Sequence, residues 1–234
     1  MPGQTTTIRT VLFDLDGTLV DTAPDMGCAL NRLRAEHDEP PLSAEMIRPW
    51  VSHGSPGLLK LAFGIDTEHH TYSELRSRFL DLYVACLADD SALFPGFADI
   101  LDQLDAAGIP WGIVTNKPGW LTTPLLDALE LTARTACVVS GDTLAQRKPD
   151  PAPIHHALEL IRADAASAVY VGDAERDIRA GRDAGCHTLA AAWGYFPDDD
   201  APETWGADAI IHSPHELAHW LQHVGAVTFD KDIA

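Results

Sequence analysis

Apolar residues fall into short unbroken runs and into longer stretches with helical spacing, and the two kinds alternate along most of the chain. The first run, Thr10–Phe13, is β-branched or apolar throughout and ends on Asp14. It predicts a short buried strand that delivers a carboxylate at its end. From about Pro24 to Asp89 the spacing becomes helical: Leu75, Phe79, Leu82 and Cys86 recur at steps of four, three and four and line one face. No convincing strand interrupts this stretch. After Pro95-Gly96, the positions of Phe97, Ile100, Leu101 and Leu104 predict a helix, followed by Gly108 and the apolar strand Trp111–Val114. Residues 136–139 and 168–171 read as further strands, separated by a helix whose apolar face is Ile154, Leu158 and Ile161. A helix over 175–184 and a strand over 187–192 follow. Strands alternating with helices predict an α/β fold whose mostly parallel sheet is covered on both faces, with a helical insertion after the first strand. Residues 197–202 read as a solvated loop carrying Asp198, Asp199 and Asp200, and 228–234 as a tail.

Length and composition agree with that pattern. The chain has 234 residues, 46% hydrophobic and 22% charged, enough for one large domain or a core plus an insertion, and ordinary for a soluble globular protein. Charge narrows the choice of partner. Sixteen Lys and Arg against 35 Asp and Glu give a net charge of -19, which repels nucleic acid and anionic membranes. A phosphorylated metabolite would be repelled too, so a phosphate site needs a local cation, a lysine or backbone amides. Cys28, Cys86, Cys137 and Cys186 contain no C-x-x-C pair and read as free thiols, not as a zinc site or redox motif. The first seven residues lack a basic start followed by an apolar stretch, and no run is apolar for the length of a membrane span. A cytoplasmic protein, monomeric or homodimeric, is expected.

Asp14-Leu15-Asp16-Gly17-Thr18 places two carboxylates two positions apart at the end of a buried strand, where alternation lets both address one region. One carboxylate can attack as a nucleophile while the other moves protons. Taken alone, the same residues also read as a turn with a capping aspartate. The longer segment Val11-Leu12-Phe13-Asp14-Leu15-Asp16-Gly17-Thr18-Leu19-Val20-Asp21-Thr22 resembles the first motif of the haloacid dehalogenase-like hydrolase superfamily.

Three further segments match that family's remaining motifs in order. Ile113-Val114-Thr115-Asn116 brings a hydroxyl and an amide to a strand end, where Thr115 and Asn116 are expected to hold phosphoryl oxygens. Lys148-Pro149 supplies the point charge required beside two carboxylates and a phosphate. Val171-Gly172-Asp173-Ala174-Glu175-Arg176-Asp177 ends a strand with two acids four apart, and departs from many relatives in having Ala174 after Gly-Asp. The resemblance implies a Rossmann-like sheet with Asp14 as nucleophile, Asp16 as acid/base and Lys148 as their cationic partner. It also implies Mg2+, with Asp14, Asp173 and the Asp16 carbonyl as a suitable partial shell of hard oxygens. Gly17, Thr18 and Gly172 would support the site. Asp177 would either ligate the metal or support that shell and Lys148.

The same resemblance makes 23–91 a helical cap inserted into an α/β hydrolase core of 1–22 and 92–234, hinged near Thr22 and 94–96. Ser52-His53-Gly54-Ser55 is the segment expected to reach the site, with Gly54 allowing close approach and His53 or Lys60 meeting a carboxylate or sugar group. A helix-to-helix turn with a surface His and Lys is the other reading. Over nearly its whole length the chain is similar to the phosphoglycolate phosphatase group. Val114-Thr115-Asn116-Lys117-Pro118, Trp193-Gly194-Tyr195 and Trp205-Gly206-Ala207-Asp208 are also similar to bacterial N-acetylmuramic acid 6-phosphate phosphatases. A small carboxylated phosphate monoester is the implied substrate. Asp16 argues against a dehalogenase; a phosphosugar mutase and an inactive metabolite-binding protein of this fold are the alternatives.

Overall fold

A computed structural model describes residues 7–197 and 200–225. The first six residues, Asp198, Asp199 and the 228–234 tail lie outside the described residues.

Six strands, β1 (Thr10–Phe13), β4 (Trp111–Val114), β5 (Cys137–Val139), β6 (Ala168–Gly172), β7 (His187–Ala191) and β8 (Ala209–Ile211), form one sheet. The order is β5-β4-β1-β6-β7-β8, and every pairing is parallel. Burial on both faces explains why the central strands read as unbroken apolar runs. Along β1, Val11 and Phe13 pack into one core cluster and Leu12 into another, as pleating requires. Helices α7 (Ala152–Ile161) and α8 (Glu175–Asp183) cover the Leu12 face through Ile154, Ala157, Leu158 and Ala180. On the other face, α5 (Phe97–Ala106) and α9 (Pro214–His223) pack with Phe97, Ile100, Leu217 and Leu221 against Phe13 and Val171. Helix α6 (Gly119–Ala128) follows β4.

Register sets the site. Phe13 is level with Ile113 of β4 and Val171 of β6, so Asp14, Thr115 and Asp173 leave the sheet at one edge. The order of strand addition reverses there: β1 leads to β4 and β5 on one side, whereas β6 leads to β7 and β8 on the other. Such a switch point opens a crevice at the strands' carboxyl ends.

The helical insertion enters and leaves through a two-stranded antiparallel ribbon, β2 (Val20–Asp21) paired with β3 (Ala92–Leu93). It contains α1 (Ala23–Glu36), a short helix α2 (Ala44–Ile47), a 3-10 turn (Arg48–His53), α3 (Gly54–Phe63) and α4 (Tyr72–Val84). Gly64, with φ 68°, ends α3 in the left-handed region. Asp25 ties the two connections together, accepting from Asp90 N–H, Ser91 N–H and Ser91 Oγ. The expected stripe on α4 is corrected at one end: the helix stops at Val84, so Cys86 is buried beyond it, and Tyr83 completes the buried face beside Leu75 and Phe79. All four cysteines are free. No helix among the described residues is long and apolar enough to cross a membrane.

Candidate active site

The backbone of Asp14 is held by β6, its N–H donating to Val171 O at 2.9 Å. Its Oδ1 accepts from Leu15 N–H at 2.7 Å and lies 2.9 Å from Lys148 Nζ. No donor among the described residues reaches Oδ2. Asp16 is arranged in the same way. Thr22 Oγ1 donates to its Oδ1 at 2.7 Å and Lys117 Nζ at 3.0 Å, and no donor among the described residues reaches Oδ2. Gly17 makes the turn after Asp16 possible: φ is 86°, and a Cβ there would collide with the Asp173 carboxylate.

Lys148 is wholly buried. Its Nζ lies 2.7 Å from Asp177 Oδ1 and donates to Tyr170 OH at 2.8 Å, which in turn donates to Val114 O. The Asn116 side chain is engaged by the lysine loop. Its amide pairs with Lys148 in both directions, Nδ2 to Lys148 O at 3.0 Å and Lys148 N–H to Oδ1 at 3.1 Å, so the side chain fixes the lysine loop. Thr115 Oγ1 accepts from Lys117 N–H at 3.1 Å and keeps its own proton to donate.

Carboxylate oxygens of Asp14, Asp173 and Asp177 lie within 4.8 Å of one another, all buried. Thr18 Oγ1 and Tyr195 N–H donate to Asp173 at 3.1 and 2.8 Å. Even so, burial, then the charges of Asp14 and Asp177, push the Asp173 carboxyl up to about 7. Burial also raises Asp177 above the ordinary carboxylate range, against the pull of Lys148. The Lys148–Asp177 contact is a close ion pair, yet neither Asp177 oxygen receives an aligned hydrogen bond. Three buried carboxylates so close together, one of them without an aligned hydrogen bond, fit a hard divalent cation held by oxygen ligands.

Across the crevice, a cavity of about 1000 Å³ is lined by Asp14 and Asp16 from the core and by Trp50, Ser52, His53 and Lys60 from the insertion. Ser52 Oγ donates to Asp173 Oδ2 at 2.7 Å, a direct contact between insertion and carboxylate cluster. His53 and Lys60 are exposed and Gly54 has φ 61°; all three border the cavity without a hydrogen bond to the carboxylates. Partial burial, then the nearby Arg176 charge, lower the His53 pKa. Sequence reasoning gave no role to Lys117, Tyr83, Arg176 or Tyr195. Arg176 also lines the cavity, and its charge is stabilised by Asp177, Asp14 and Asp173 against the cost of burial. Tyr195 stands in the quoted Trp193-Gly194-Tyr195 segment, but its role comes from distant partners: its N–H holds Asp173 while its hydroxyl donates to Asp21 Oδ1 on the ribbon.

Paired carboxylates at the switch point of a parallel sheet, beside a buried lysine and a cluster of buried acids, form the kind of crevice in which an α/β enzyme places its active site. The sequence matches the haloacid dehalogenase-like hydrolases over residues 11–191, and the chain belongs to that family. It is 44% identical over 217 residues to a phosphoglycolate phosphatase of Xanthomonas campestris, covering 92% of this chain and 98% of the relative. An N-acetylmuramic acid 6-phosphate phosphatase of Pseudomonas putida is 40% identical over 210 residues, covering 90% and 94%. The crystal structure of a predicted phosphoglycolate phosphatase from Haemophilus somnus superposes with a TM-score of 0.80 at 25% identity, covering 91% and 97%. The chain is therefore a phosphatase-type member of the family.

Proposed function

We propose that this enzyme is a magnesium-dependent phosphomonoester hydrolase working through an aspartyl-phosphate on Asp14. The carrying observation is that Asp14 and Asp16 both line the cavity and are each gripped through Oδ1, leaving one oxygen apiece without a donor among the described residues. Asp14 Oδ2 attacks phosphorus while the leaving alcohol oxygen takes a proton from Asp16. Asp16 then takes a proton from the water that cleaves the aspartyl-phosphate, releasing inorganic phosphate and restoring the Asp14 carboxylate and the protonated Asp16. Lys148 and the Thr115 hydroxyl neutralise phosphoryl oxygens, and Asn116 holds Lys148 in place. Asp14, Asp173 and the Asp16 carbonyl would hold Mg2+, with Asp177 supporting; the ion supplies charge neutralisation for the phosphoryl group. Residues 23–91 serve as a cap over the cavity, with Ser52 touching the cluster.

For the substrate body, cavity size favours one of the two substrate bodies named for its relatives. A volume of about 1000 Å³ stands at the upper end of the range for small-molecule sites, roughly 300–1,000 Å³, and far exceeds a two-carbon acid. Trp50 and Trp120 on its wall suit the faces of a sugar ring. A carboxylated amino-sugar phosphate fits this space. A phosphate-release panel of 2-phosphoglycolate, N-acetylmuramic acid 6-phosphate, hexose phosphates and nucleotides should give the amino-sugar acid a kcat/KM at least about tenfold above phosphoglycolate. Preference for phosphoglycolate would overturn this substrate reading. Steady release of free phosphate separates hydrolysis from a mutase, and binding without turnover would mark an inactive regulator.

Metal and pH are linked through Asp173. Its carboxyl stands near 7 in the metal-free fold against an unperturbed 3.8, so the folded state binds the extra proton between these values. The contribution is fully present below about pH 4 and is lost as pH rises through about 7, with a slope of at most about 1.4 kcal/mol per unit. Metal-free protein should therefore lose thermal stability from pH 5 to 7. Saturating magnesium should flatten that trend, and Asp173→Asn should weaken both the trend and the magnesium effect, leaving the part carried by Asp177. A metal-independent trend would remove Asp173 from the ligand set.

A further inference from the structure

We propose that Lys117 is a positioning residue for Asp16, locked in turn by Tyr83 of the helical insertion. The inference rests on the acid/base role proposed for Asp16. Lys117 Nζ lies 3.0 Å from Asp16 Oδ1 and 2.8 Å from Tyr83 OH, and its side chain is only 5% exposed. A buried lysine has little freedom to leave two such partners. Its ammonium also sits 4.7 Å from the Tyr83 ring centroid, a cation–π contact that adds to the hydroxyl contact. Thr22 Oγ1 binds the same Asp16 oxygen from the start of the insertion. Asp16 Oδ1 is thus held by one donor from the hinge and one from the loop after β4, and Oδ2 is the oxygen left to exchange a proton with substrate.

The route of the contact gives it a consequence. Tyr83 is fully buried on α4, stacked beside Phe79 at 6.3 Å between ring centroids. The hydroxyl therefore reaches Lys117 only when α4 is docked against the core. Lys117 itself is anchored by its N–H on Thr115 Oγ1, while its carbonyl accepts from Gly141 N–H and Thr122 Oγ1. The rigid end is the core and the conditional end is the insertion. Docking of the insertion then fixes the rotamer of the residue that delivers the proton.

A residue that orients the proton donor matters in proportion to how much the leaving oxygen needs a proton. Alkyl phosphates need it; p-nitrophenyl phosphate releases a phenolate that leaves unaided. We expect Lys117→Met to lower kcat for an alkyl phosphate by about 10²-fold or more, with KM within about threefold. The first-turnover burst of nitrophenolate should stay within about tenfold of wild type. Tyr83→Phe, which removes one hydroxyl and retains the packed ring, should show the same split at about 3- to 10-fold on the alkyl substrate, and supplies the answer should Lys117→Met fail to fold. Equal losses on both substrates, or no loss on either, would overturn the proposal. Running Asp14→Asn alongside keeps the two questions apart: activity in that variant removes the phosphoaspartate reading itself, whereas an inactive Asp14→Asn with no substrate split in Lys117→Met or Tyr83→Phe removes only the role of Lys117.

Discussion

Asp14→Asn should lose at least about 10⁴-fold in kcat while folding normally and still binding phosphate. Asparagine keeps the shape of the side chain and can still accept the Leu15 N–H that now reaches Oδ1 at 2.7 Å. The backbone bond to Val171 is untouched, and Lys148 retains Asp177 and Tyr170 as partners. What disappears is an anionic oxygen able to attack phosphorus. One negative charge also leaves a cluster in which the Asp14 charge raises the cost of ionising Asp173 and Asp177. Unfolding midpoints should therefore match or exceed wild type, which separates lost chemistry from lost structure. Acid-quenched wild-type enzyme should carry labelled phosphate on protein and the variant none. Phosphate release within tenfold of wild type would end the nucleophile reading.

Legibility in the sequence followed the range of the interaction. β1, β4 and β6 could be placed because each is a run of apolar residues buried on both faces, and the chemistry sits at their ends. The β2–β3 ribbon was missed because strands of two residues have no period to detect, and β8, though as long as β5, was not read. Helix α6 was not read either: Pro124 lies inside it and its apolar positions are diluted by threonines. Asp14, Asp16, Lys148 and Asp173 stand out by type and order. Lys117 does not, since its meaning depends on Tyr83, 34 positions away, and on Asp16, 101 positions away. Asn116 shows the converse limit: its place was visible, but its engagement with the Lys148 backbone is set by a loop 32 residues later.

Lys148→Met should be the most disruptive single change to the fold, at about 3–5 kcal/mol. The lysine side chain has no solvent exposure, and it is the cation in ion-pair contact with both Asp14 and Asp177. Methionine fills much of the stem's volume, so the loss is electrostatic: buried carboxylates remain with no ammonium between them. Replacing Asp177 as well should reverse part of this damage, because Lys148→Met with Asp177→Asn removes a charge that would otherwise stand unpaired in the interior. Activity should behave differently. Both variants lose the cation that faces the phosphoryl group, so both should fall by about 10³-fold or more, whatever their stability. Acidification should narrow the stability gap to wild type, since unpaired buried carboxyls take up protons at higher pH than in the unfolded chain and their penalty fades as pH drops. Denaturant titrations of the single and double variants at two pH values, read beside phosphate release, test all three expectations. If the double variant is less stable than the single one, Asp177 is held by something other than Lys148 and the ion pair is not what secures this end of the sheet.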